Sequence, residues 1–227
     1  MKRFVIPELL DSDSGSPAEI SASLADLRMV NRWFGGAATM CDLVRNIARR
    51  TGRRELSLLD VGGASGDIAA RIARELGREG VRLAFVVLDR SAAHLNGTGR
   101  AVAGDALSLP FREGSFDLVG SSLFTHHLEP GELVRFVNES LRVAGVAALV
   151  NDLRRSPAHL ALTYAGFALY RSRLTRHDAP ASVRRAYTLE ELRELLQATR
   201  AAAVEVRNHY LCRMGVIAWR EAPCPST

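Results

Sequence analysis

Three carboxylates close three successive apolar runs. Asp60 ends the run in LLDVGGASGD, Asp89 ends RLAFVVLD, and Asp105 follows RAVAG. A carboxylate so placed can hold an ammonium, take two neighbouring hydroxyls or accept from an aromatic amine. Behind Asp60, residues Gly62, Gly63 and Gly66 turn tightly into a helix. Without a Cβ, the backbone there can approach a ligand closely, and the helix start offers free N–H groups. A glycine turn alone suits any nucleotide fold. The dinucleotide fingerprint needs G-x-G-x-x-G directly after the strand, but Ala64 stands at its middle glycine and the last glycine is missing. A pyrophosphate is therefore not the expected ligand.

Asp89 lies 23 residues after Gly66, where a carboxylate can take both hydroxyls of a ribose, and Asp105 can accept from an adenine amine. Three acids at three strand ends describe a ligand with a cationic amino-acid end, a ribose and an adenine. That ligand is S-adenosylmethionine. Such a cofactor carries its own activated methyl, so the protein has mainly to position and desolvate.

The elements that must position these residues follow from the apolar pattern. LSLLDV, RLAFVVLD, RAVAGD, SFDLVGSS and VAALVND read as five short buried strands. Helices between them imply βαβ units with right-handed crossovers and a parallel sheet. Residues 1–16 read as a mobile or loosely docked arm. Pro17 opens a helix that Gly35-Gly36 breaks, and a second helix carries Met40, Leu43, Val44 and Ile47 on one face. Ser156-Pro157 starts a helix through Tyr170, followed by a polar stretch, RSRLTRHDAPAS. Thr188 and Glu191 form a capping box, and two last strands are expected to pair as a hairpin through Asn208.

Composition narrows the rest. The chain has 227 residues, 47% hydrophobic and 24% charged, which excludes disorder for most of it and permits a core without disulfides. Cys41, Cys212 and Cys224 show no zinc-like spacing, which points to a reducing cytoplasm. No apolar run approaches a membrane span. The net charge of +5 invites a nucleic-acid reading, but Lys2 is the only lysine among 30 basic residues, a bias that GC-rich codons explain.

Over residues 55–220 the chain resembles the class I S-adenosylmethionine-dependent methyltransferases. LLDVGGASGD, VLDRS, GDALSLPF and FDLVGSSLFTHHL are similar to that family's motifs, in order; SLRVAGVAALVNDL departs, with Gly145 alone where a glycine pair is usual. The resemblance implies an α/β, Rossmann-like seven-stranded sheet of order 3-2-1-4-5-7-6, strand 7 antiparallel, with helices on both faces. It makes residues 1–54 an arm and helical cover and 221–227 a tail. It implies that Asp60, Gly62, Gly63, Ala64 and Gly66 face the methionine end of the cofactor. Asp89 and Arg90 then attend the ribose, Gly104, Asp105 and Ala106 the adenine, and Ser121 and Ser122 the sulfonium. The chain looks like the small bacterial methyltransferases of ubiquinone- and polyketide-type substrates, where O- or C-methylation of phenolic or quinol rings is usual.

A phenol or enol titrating near ~10 needs a base, and His126 and His127, just beyond the fourth strand, are the candidates. Ser121, Ser122 and Thr125 stand where a cation-dependent relative would carry an acid, so no metal is expected. SSLFTH is not the N/D-P-P-Y/F motif of base methylation. Trp33, Phe34, Asn151, Arg154 and Tyr164 are the candidate acceptor contacts. Arg154, Arg155, Arg171, Arg173, Arg176, Arg184 and Arg185 cluster after the fifth strand, as a solvated lid or an anion clamp. A small hydrophobic acceptor is the expected partner; RNA or protein methylation and a non-catalytic partner protein are the alternatives.

Overall fold

The computed structural model describes residues 1–12, 14–95, 100–209 and 212–223. Its centre is one seven-stranded sheet of order β3-β2-β1-β4-β5-β7-β6. The strands are β1 (Glu55–Val61), β2 (Arg82–Asp89), β3 (Ala101–Ala103), β4 (Phe116–Ser122), β5 (Ala144–Leu153), β6 (Ala203–His209) and β7 (Arg213–Trp219). The first five run parallel, and β7 is antiparallel to both neighbours, as the motif order implied. The carboxyl ends of all five parallel strands therefore open on one edge, and Asp60, Asp89, Ser121, Ser122 and Asn151 converge there.

Seven α-helices accompany the sheet among the described residues: α1 (Pro17–Trp33), α2 (Gly36–Thr51), α3 (Asp67–Arg78), α4 (Pro130–Val143), α5 (Pro157–Ala165), α6 (Arg173–Arg185) and α7 (Leu189–Gln197). Each sheet face has its own core. Leu59, Val61, Val119 and Val150 pack with Phe136 and Val137 of α4 and Leu192 of α7. Leu58, Leu118 and Leu149 pack on the other face with Val44 and Ile47 of α2 and Ile72 of α3. The period-2 alternation of strand side chains divides these residues between the faces. Within residues 1–54, α2 is thus a core helix, and the arm and α1 lie outside it. No helix among the described residues is long and apolar enough to cross a membrane.

Four local expectations need correction. The arm is docked: Phe4 N–H donates to Arg184 O, Leu9 and Leu10 N–H donate to the Asp178 carboxylate, and Arg3 reaches the carbonyls of Leu128 and Arg185. The polar stretch 171–182 lies mostly in α6. Its inner face buries Thr175, Asp178 and Ser182 beside Leu174 and Val183. Asp178 and Thr175 bond the arm and α1, and Ser182 donates to Asp178 O in its own helix, so the helical period is not apolar. The helix begun at Pro157 ends at Ala165 and continues as a 3-10 turn, Gly166–Leu169. Asn208 lies within β6, paired with Met214, so the hairpin turns further on.

Arg155 is structural. Its side chain is 3% exposed and donates to Met1 O, Ala186 O and Glu191 Oε1. Arg155→Ala should remove about 2–4 kcal/mol of stability, the cost of deleting a buried, multiply bonded cation. Urea unfolding measures it, and cofactor affinity of the folded variant should stay within about twofold.

Candidate active site

The glycine turn is fastened to the end of β2. Gly62 N–H donates to Leu88 O at 2.8 Å, and Ala64 N–H donates to Asp89 Oδ2 at 3.1 Å. Gly62 and Gly66 have φ of +69° and +71°, and Ala64 has φ of +44°. An alanine there bears a left-handed backbone that glycine adopts without a Cβ penalty. A Cβ on Gly63 would lie 2.6 Å from Asp60 Oδ2, so only glycine lets the chain pass over that carboxylate.

Asp60 is 3% exposed, and its Oδ2 has no hydrogen-bond partner. Burial, reinforced by the negative charge of Asp89, pushes its pKa up to about 7. A ligand ammonium supplies what this carboxylate lacks. Asp89 Oδ1 accepts from Ser91 N–H, so its carboxylate also organises the turn it would share with a ribose. Gly104 N–H donates to Asp89 O. Asp105 is exposed and accepts from Leu107 N–H at 2.9 Å, which orients it without using all its lone pairs. Arg90 is exposed beside Asp89 and Ala106 half-buried. Ser121 is fully buried with its Oγ unpartnered. Asn151 Nδ2 donates to Ser122 Oγ and to Gly36 O, tying β4 to β5 and α2. The unpartnered carboxylate oxygen and the glycine cradle fit S-adenosylmethionine.

The histidines part company. His126 is 3% exposed. Its Nδ1 lies 2.7 Å from Asp152 Oδ1, and its Nε2 lies 3.5 Å from Glu8 Oε1. Burial opposes its charge, but the two carboxylates outweigh burial and push its pKa up to about 10. His127 Nδ1 lies 2.9 Å from Asp11 Oδ2, and Arg185 donates to its carbonyl. Both rings are held by the arm and β5.

An apolar cavity of about 200 Å³ opens beside this edge, lined by Val30, Phe34, Leu153, Leu162, Leu169 and Tyr170, together with His159 and Arg213. Of the predicted acceptor contacts only Phe34 lines it. Trp33 is 66% exposed and stacks under Arg32. Tyr164 is 45% exposed, its hydroxyl accepting from Arg184. Arg154 reaches Asn208 Oδ1 and gives its carbonyl to His159 Nδ1 at 2.9 Å. Glu8, Asp11, His159 and Arg213 had no motif to mark them; Arg213, a cation opening a buried strand, was the one visible anomaly.

The parallel order and the late antiparallel strand make this the Rossmann-like, seven-stranded fold of methyltransferases. The methyltransferase domain model matches residues 59–149, so that part of the chain is similar to the methyltransferase domain. It is 30% identical over 144 residues to norajmaline N-methyltransferase of Rauvolfia serpentina, covering 60% of this chain and 46% of that one. The chain thus spans about half the length of the curated relative it matches. Among solved structures it is similar to the plantazolicin methyltransferase BamL in complex with a triazolic desmethylPZN analogue and SAH, with TM-score 0.70, 13% identity, and 89% and 91% of the two chains covered. It is also similar to the citrinin polyketide synthase CMeT domain, with TM-score 0.55, 12% identity, and 74% and 47% covered. Both structural likenesses concern the fold.

Two outcomes test the cleft. An ionised Asp60 attracts the cofactor ammonium and a protonated one does not, so affinity should fall as pH drops below about 7. The limit for one proton is about tenfold per pH unit. Calorimetric titration from pH 7.5 to 6 measures this slope, and Asp60→Asn should flatten it. Asp89→Ala should weaken cofactor binding by about 1–3 kcal/mol, the loss of buried charged hydrogen bonds. Unchanged affinity in a folded Asp89→Ala variant would remove Asp89 from the ribose.

Proposed function

We propose that this protein transfers the methyl of S-adenosylmethionine to a small, apolar phenolic, quinol or polyketide-like acceptor seated in the cavity between α1, α5 and the β5–β7 edge. The cavity's mixture of one histidine and one buried cation among apolar walls carries this reading. Bound cofactor supplies an electrophilic methyl on sulfur. The chain's residues supply the place for the acceptor, the exclusion of water and the handling of its proton.

His159 suits the base better than His126. The carbonyl of Arg154 can only accept, so His159 Nδ1 carries the ring proton and Nε2 keeps its lone pair. Burial, with the charges of Arg213 and Arg154, lowers the His159 pKa, which keeps the ring neutral. His126 has a carboxylate at each ring nitrogen and does not line the cavity. Arg213 is 2% exposed, with Nη1 unpartnered, and burial lowers its pKa to about 10. An acceptor oxygen that gains negative charge as His159 takes its proton would satisfy that guanidinium. The same arrangement serves a phenolate for O-methylation or an enolate for C-methylation.

The arginines after β5 speak for a small acceptor rather than RNA. Arg155 and Arg173 are ion-paired, and Arg184 and Arg185 donate to Tyr164 and to the His127 carbonyl.

Incubation with labelled S-adenosylmethionine and a cell extract, followed by mass identification of the product, tests the assignment. An apolar aromatic or polyketide product is expected; label in RNA or protein alone would overturn it. With the acceptor in hand, His159→Asn should lower kcat about 10²–10⁴-fold, the range for losing a general base. A more basic assay pH should partly restore that rate, because the acceptor then ionises unaided. Loss of rate in His127→Asn but not in His159→Asn would return the role to the pair after β4.

A further inference from the structure

The turn after β4 and the N-terminal arm bring together a set of donors that methyl transfer does not use. Glu8 Oε1 lies 3.5 Å from His126 Nε2 and 4.0 Å from His127 Nε2, and the three ligand atoms all lie within 4.8 Å of one another. Two ligands at about 2.0–2.1 Å from a tetrahedral ion stand about 3.3 Å apart, so side-chain movements of up to about 1.5 Å close the set. Glu8 Oε1 is buried without a hydrogen-bond partner, in a side chain only 10% exposed.

The outer contacts match those of a metal centre. Each imidazole has a carboxylate on its far nitrogen: Asp152 at 2.7 Å from His126 Nδ1, and Asp11 at 2.9 Å from His127 Nδ1. Such carboxylates fix the tautomer, turn Nε2 inward and raise its basicity, as behind histidines that bind zinc. Asp152 is itself held, accepting from Thr125 Oγ1 and from His126 N–H. The facing charges are three carboxylates, Glu8, Asp11 and Asp152, against Arg185, whose Nη1 lies 3.4 Å from His127 Nδ1, and Arg3, whose Nη2 lies 3.5 Å from His126 O. A dication at the Nε2 atoms improves that balance.

We propose that Glu8, His126 and His127 bind a divalent transition-metal ion of the zinc class, and that this ion clasps the N-terminal arm onto the sheet. Two histidines and a glutamate are a known zinc ligand set, with a fourth position left to water. The expectation of no metal considered only residues at the end of the fourth strand. Glu8 enters from more than a hundred residues away and could not be weighed there. The site stands independently of the acceptor's identity.

The test uses the tag-free full chain, stripped with chelator and returned to metal-free buffer. Zn²⁺ is titrated calorimetrically, and Co²⁺ by its visible absorption. One equivalent should bind, with the intense bands of four-coordinate Co²⁺. Glu8→Gln and His127→Asn, checked for folding by circular dichroism, should each weaken Zn²⁺ binding at least about 100-fold. Asp11→Asn keeps all three ligands and should weaken it about 10- to 100-fold through the outer contact. Zn²⁺ should also slow proteolysis within residues 1–12 of the wild-type chain but not of Glu8→Gln. Absence of saturable binding to the wild type, or equal binding by Glu8→Gln and His127→Asn, would overturn the site.

Discussion

A charge taken out of water costs several kcal/mol unless a partner replaces its hydration. The carboxyl-terminal edge of this sheet buries Asp60, His126, Asp152 and Arg213 together. His126 and Asp152 satisfy each other, and burial, which would raise Asp152, is outweighed by His126, so that carboxyl stays well below its usual range. That pair ties the turn after β4 to β5. Asp60 and Arg213 each keep a polar atom without a partner. The paired charges hold the edge in shape, and the unpaired ones mark where a ligand of opposite charge is wanted. One lies in the glycine cleft, the other beside the apolar cavity, on opposite sides of the Ser122–Asn151 bond.

The fold was legible because its signals are local. Five apolar runs ending in polar residues, glycines where φ turns positive and a proline at the first turn of α1 each follow from a few neighbouring residues. The glycine turn and its two carboxylates were legible for the same reason, since Asp60 and Asp89 stand at strand ends. The apolar cavity was not. Its walls come from α1, α5, β5 and β7, and which aromatic residue faces inward depends on how helices settle on the sheet. Phe34 and Trp33 are adjacent and equally apolar, yet Phe34 lines the cavity and Trp33 faces solvent. A helix turns about 100° per residue, so neighbours must diverge, and composition cannot say which one points in.

The same reasoning explains why α6 was hidden. Hydrophobic periodicity detects a helix that buries an apolar stripe. The stripe of α6 includes Ser182 and, buried through hydrogen bonds to segments more than 140 residues earlier, Thr175 and Asp178. Burial of this kind leaves no apolar period, and the partner that makes it affordable is remote in the chain. The arm and α6 therefore depend on each other. Asp178 takes the N–H groups of Leu9 and Leu10, and through them fastens the middle of the arm.

That mutual dependence gives the arm a consequence for catalysis. By docking on α6, it carries Glu8 and Asp11 to the two histidines that the strand-end position had suggested as bases. Enclosed by Glu8 and Asp152, His126 has a carboxylate at each ring nitrogen and is turned to the arm and β5. On the other side of the β4–β5 junction, His159 lines the apolar cavity beside Arg213, its pKa lowered by burial. A chain lacking residues 1–12 would open the His126 ring to water and leave it one carboxylate instead of two. The arm thus separates two histidine environments that the motif alone could not distinguish, one enclosed by carboxylates, the other lining the apolar cavity.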